Sequence, residues 1–138
     1  MIKFLTSKNI IVKEEIKMLR ASEYHKQGYN CAESMIKAYN EEHNTNIPVS
    51  LGSGMGTGLG VGSLCGAVNA AALIVGYLRG REDSNEANEA RKIAKELMQE
   101  INGKYGTSIC KELKQNKVSC AEIIDNSYEA LNKVLEIK

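Results

Sequence analysis

Four cysteines, Cys31, Cys65, Cys110 and Cys120, carry most of the chemistry this 138-residue chain could perform, and each is expected to open a helix. Cys31 follows Asn30 and Cys120 follows Ser119, and in both places a glutamate, Glu33 or Glu122, stands three residues beyond the capping residue. That is the pattern of a capping box. Cys65 follows a glycine-rich run and Ser63, and Cys110 follows Thr107 and Ser108. Unpaired backbone N–H groups and the helix dipole favour negative charge at such positions, so the thiol pKa values are expected to fall toward reactive thiolate. A metal-bound thiolate is favoured there for the same reason.

The second unusual stretch leads into Cys65. Gly52, Gly54, Gly56, Gly58, Gly60 and Gly62 alternate without a break, and Gly66 follows Cys65. An ordinary strand is excluded, because one of its faces would have no side chains to pack. Glycine supplies positive φ and close backbone approach, so successive N–H groups can line a nest for an anion, a phosphate or a cluster sulfur. Gly56, Gly58, Gly60, Gly62 and Gly66 are the candidate cofactor-binding glycines, and a lid or a tight backbone crossing is the competing use. The Lys-Ser/Thr pair of a phosphate-binding P-loop is absent, with Ser63-Leu64-Cys65 in its place, and no βαβ unit supports a dinucleotide site.

The elements that must position these residues are helical almost throughout. Val12, Ile16, Leu19 and Tyr24 recur at helical spacing up to a stop at Gly28. A helix from Cys31 to about His43 places Ala32, Met35, Ile36 and Tyr39 on one face. The irregular stretch 44–63 holds Pro48 and the glycines, and is the one long loop. Residues 64–78 are apolar on nearly every side and predict a central helix, stopped by Gly80. Asp83 or Ser84 is expected to cap an outer helix with Ala87, Ala90, Ile93, Ala94, Leu97, Met98 and Ile101 inward, ended by Gly103. A short helix from about Ile109 to Gln115 and a last one from Cys120 complete an all-α, single-domain bundle (1–138) of about five to six helices.

Composition narrows the function classes. Eighteen basic and seventeen acidic residues give a net charge of +1, with no long run of one sign, so neither nucleic acid nor an anionic membrane is an expected partner. The apolar stretch 67–78 contains Asn69 and is too short to span a bilayer, which takes about twenty residues. Residues 1–8 lack the apolar core of a secretory signal, and a cytoplasmic location is expected. In that reducing compartment cysteines serve catalysis, redox exchange or metal binding more often than permanent disulfides.

The order Gly28-Tyr29-Asn30-Cys31-Ala32-Glu33, a glycine-rich run ending in Cys65-Gly66-Ala67, and then Cys110 and Cys120 resembles the small redox proteins known by their C_GCAxxG_C_C cysteine pattern. The resemblance covers about 14–135. It implies that the four cysteines are the functional set and that the protein is redox-active. One departure is Ala70, where the family pattern has glycine.

No Cys-x-x-Cys is present, so neither a thioredoxin-type site nor a paired zinc knuckle is supported. The cysteines can act together only if the bundle brings their helix starts to one end, with Cys65 expected at the centre. Thiol/disulfide exchange or electron transfer by an oxidoreductase is then the leading expectation. The alternatives are an iron–sulfur or zinc site with the four cysteines as ligands, and an anion-binding module without catalysis, its cysteines structural. A redox partner of unspecified identity is implied, and a homodimer is compatible with the glycine loop and the small-residue helix. His25 and His43 read as solvated, Glu14-Glu15 and Glu41-Glu42 as surface pairs, Asn69 as a buried amide bonding backbone or facing the cysteines, and Tyr29 and Tyr105 as core filling near cysteine helix starts.

Overall fold

The computed structural model describes residues 20–137, so the expected repeat through Val12, Ile16 and Leu19 and the Glu14-Glu15 pair lie outside the described residues. Among the described residues six α-helices follow one another: α1 (Ala21–Lys26), α2 (Cys31–His43), α3 (Gly66–Arg79), α4 (Glu89–Tyr105), α5 (Cys110–Gln115) and α6 (Cys120–Ile137). A 3-10 turn occupies Val49–Gly52. No strand occurs among the described residues, and the one β feature is an isolated antiparallel bridge between Leu64 and Ile109. No helix among the described residues is long and apolar enough to cross a membrane.

Helix α3 is the central element, packed against α2, α4 and α6. Its Ala67, Val68, Ala70, Ala71, Ile74 and Val75 are fully buried. The run of alanines keeps that surface flat and lets neighbouring helices approach closely, while branched side chains fill the gaps. Ala70 is itself among the fully buried residues, so a methyl group is accommodated where the family pattern has glycine. Met35 and Ile36 of α2, Ile93 and Leu97 of α4, and Ile124 and Leu131 of α6 meet α3 in one core. Truncating a side chain such as Leu97 to alanine there removes about 2–5 kcal/mol, the usual cost of an unfilled core site.

Two helix boundaries differ from expectation. Asp83 and Ser84 do not cap α4, because the preceding residues close a turn of their own. The Glu86 carboxylate accepts from the N–H groups of Glu82 and Asp83, and Asp83 accepts from the Asn85 N–H. The helix instead starts at Glu89, with the Asn88 side chain accepting from the Arg91 N–H at 3.1 Å, which leaves Ala87 outside it and exposed. At the other end Gly103 is helical, and Gly106, with φ of +75°, terminates the helix.

Candidate functional site

The four cysteines occupy four helix starts. Cys31, Cys110 and Cys120 are the first residues of α2, α5 and α6, and Cys65 is the N-cap of α3. The Asn30 capping box forms fully: the Asn30 side chain accepts from the Glu33 N–H at 2.7 Å, and the Glu33 carboxylate accepts from the Asn30 N–H at 2.9 Å. At α6 the Ser119 hydroxyl accepts from the Glu122 N–H at 3.1 Å. Thr107 serves α5 in a related way, donating its hydroxyl to Glu112 and accepting from the Ile109 N–H.

Tertiary structure brings these starts together. The Leu64–Ile109 bridge ties the entry of α3 to that of α5. The Cys65 N–H donates to the Ser108 carbonyl at 2.8 Å, and the Cys110 N–H donates to the Ser63 carbonyl at 2.7 Å. Cys31, Cys65, Cys110 and Cys120 then line one cavity of about 80 Å³, with His25, Lys114, Thr57 and Gly66 among the other wall residues and Leu113, Val118 and Ile123 as its apolar side. That is room for only a few water-sized groups. Cys120 is exposed, Cys31 is half-buried, and Cys110 and Cys65 are 9% and 4% exposed, so the sulfurs grade from surface to core.

Burial overturns the expected lowering of the thiol pKa values at two of the four positions. Loss of solvent pushes Cys65 up to about 11, against the opposing pull of the Val68 and Ala67 N–H groups. Cys31 is also raised, again chiefly by burial, although the N–H groups of Thr57 and Ala32 point at its sulfur. Helix-start N–H groups are present as expected, but the cost of desolvating an anion exceeds what they supply. The neighbouring thiols Cys120 and Cys110 add to the rise at Cys31, and Cys31 and Cys110 add to that at Cys65.

The glycine ladder contributes less cofactor surface than expected. Of Gly56, Gly58, Gly60, Gly62 and Gly66, only Gly66 lines the cavity. A Cβ there would collide with the Cys31 sulfur and lie 2.7 Å from the Met55 carbonyl oxygen. Gly58, with φ of +57°, has no room for a side chain either, since a Cβ would collide with the Ser63 backbone and approach the Cys110 Cβ to 2.8 Å. Gly56 abuts the Asn30 side chain, Gly62 faces Lys111, and Gly60 is exposed with nothing within 4 Å. The ladder is therefore chiefly a tight backbone crossing. It delivers one N–H, that of Thr57, to Cys31.

Among the described residues, no group of three or more His, Cys, Asp and Glu side chains is placed to hold a metal ion.

The model of the family described as "Putative redox-active protein (C_GCAxxG_C_C)" matches residues 29–134. The chain belongs to this family. The matched span contains all four cysteines, and the family's redox description fits a cavity walled by thiols. No curated protein and no solved structure gives a significant match.

One wall residue escaped the sequence reading. His25 was expected to be solvated, yet it borders the cysteine cavity, with Nδ1 at 2.9 Å from the Tyr29 carbonyl oxygen. The signal available was its place in the last turn of α1, a few residues before Cys31. His43 lies elsewhere, stacked on Tyr39 and bonded to Asn132. Asn69 is half-buried and does not line the cavity. Tyr29 and Tyr105 pack against the core, and the Tyr105 hydroxyl donates to Glu122 at 3.2 Å.

Proposed function

We propose that this protein is a thiol–disulfide oxidoreductase of the family's redox class, using Cys120 and Cys31 as the outer pair and Cys65 and Cys110 as the inner pair. The observation that carries the reading is the single small cavity walled by four thiols in graded exposure.

The exposed Cys120 thiolate attacks one sulfur of a substrate disulfide, forming a mixed disulfide and expelling the other sulfur as a thiolate, which takes up a proton. The Cys31 sulfur, giving up its proton, then attacks the Cys120 sulfur and expels the second half of the substrate, which takes up a proton. Two electrons have passed to the substrate, and Cys31 and Cys120 are joined. The inner pair can reduce that bond by the same exchange, and an external dithiol returns the protein to its starting state.

The test is oxidation of the fully reduced chain by 2-hydroxyethyl disulfide, with disulfide mapping by mass spectrometry. A Cys31–Cys120 bond is expected first, and Cys120→Ser should abolish it. Four thiols that persist unpaired in the wild-type chain would overturn the reading.

A further inference from the structure

Resting on that exchange reading, we infer that His25 is the proton acceptor that activates Cys31 as the resolving thiol. The carbonyl oxygen of Tyr29 can only accept a hydrogen bond, so the His25 Nδ1 at 2.9 Å carries the proton. The neutral ring then presents Nε2 as its basic nitrogen. The ring is moored to the turn that launches Cys31, and both residues line the cavity. The titratable groups around that cavity are Cys31, Cys65, Cys110, Cys120 and Lys114, while on the ring's own helix Glu23 and Lys26 pair with each other at 3.3 Å. A lysine ammonium such as that of Lys114 has donors only and offers no acceptor. His25 is therefore the wall residue equipped for the task.

A base is needed because burial keeps the Cys31 proton in place. In the resolving step that proton moves to Nε2 as the sulfur attacks Cys120 in the mixed disulfide. The S–S bond to the substrate half breaks, and its departing sulfur receives a proton from the imidazolium. The ring returns to its neutral form, so His25 acts catalytically without net consumption.

The experiment follows carbamidomethylation of each cysteine in the full chain by mass spectrometry across pH. His25→Asn retains a side-chain N–H for the Tyr29 carbonyl and removes the base. Near pH 7.5 it should slow Cys31 about a hundredfold, the lower end for a positioned base. Cys120 should be unchanged, and the difference at Cys31 should close as the pH approaches the ionisation of the thiol itself. In His25→Ala, added imidazole should restore the Cys31 rate. Equal Cys31 rates in wild type and His25→Asn, or a loss of the same size at every pH with no imidazole rescue, would overturn the inference. Alkylation needs no disulfide formation, so this outcome is independent of whether 2-hydroxyethyl disulfide pairs the wild-type cysteines.

Discussion

The sulfur of Cys31 fills the space that a Cβ on Gly66 would need. This one contact explains why a glycine follows Cys65 at the start of the most buried helix: the N-termini of α2 and α3 meet there with a thiol between them. The Met55 carbonyl oxygen closes the other side, 2.7 Å from the same Cβ position. Gly66→Ala should therefore cost about 1–3 kcal/mol, the range for overpacking a filled site. Urea unfolding measures that loss, and faster alkylation of Cys31 should accompany it as the sulfur is displaced. An alanine variant with wild-type stability and wild-type Cys31 reactivity would contradict the contact.

The capping network of Asn30 joins α2 to the glycine loop. Beyond the capping box, the Asn30 amide donates to the carbonyls of Gly52 and Ser53, each at 3.2 Å, and the Ser53 hydroxyl donates to Glu33 at 2.6 Å. Asn30→Ala should lower stability by about 2 kcal/mol, the upper end for loss of a cap. Asn30→Ser restores the cap but not the loop bonds, and should recover only part of the loss. Amide hydrogen exchange across 52–57 should rise in both variants.

The raised thiol of Cys65 makes the fold sensitive to alkali. Below the ordinary value of 9.0 the group is protonated in both folded and unfolded chains, and its contribution is complete. As pH rises from 9.0 to about 11, the unfolded chain ionises first and stability falls. Two pKa units correspond to about 3 kcal/mol. Tyr24, Tyr39, Tyr105 and Tyr128 are also raised by burial and act in the same direction. Urea midpoints measured across this range should fall less steeply in Cys65→Ala than in wild type. Parallel slopes in the two proteins would rule out the burial effect at Cys65.

Exposure orders the reactivity of the thiols. Cys120 should alkylate first, Cys31 next, and Cys110 and Cys65 last. At neutral pH the Cys65 thiolate population lies about a hundredfold below that of a thiol at the ordinary value. Timed alkylation with peptide mapping checks this order. Early labelling of Cys65 would show that the cavity opens more readily than its packing indicates.

Much of the fold was legible because its signals are local. Asn30 with Glu33, and the apolar faces of α2 and α6, specify helices through neighbours three and four residues away, and Cys31–His43 came out as expected. The start of α4 was misjudged for an equally local reason. Asp83 and Ser84 are good caps, but the Glu86 carboxylate accepts from the N–H groups of Glu82 and Asp83 and the Asp83 carboxylate from that of Asn85, which closes a separate turn, and Asn88 caps the helix instead.

Placement of Cys31 and Cys120 at helix starts was determined by sequence alone, since the Asn30 and Ser119 caps act on N–H groups three residues away. The starts at Cys65 and Cys110 carry no side-chain cap and are tied to each other by backbone bonds across the fold. The meeting of all four cysteines in one cavity was decided by tertiary structure, through the Leu64–Ile109 bridge and the Gly66–Cys31 contact, which join residues 45 and 35 positions apart. The same packing decided the ionisation of Cys31 and Cys65. A helix start invites a thiolate from its own backbone, but solvent is removed by other helices, and at these two sulfurs desolvation is the larger effect. The place of His25 in the cavity wall likewise follows from how α1 packs, which no spacing within α1 could specify.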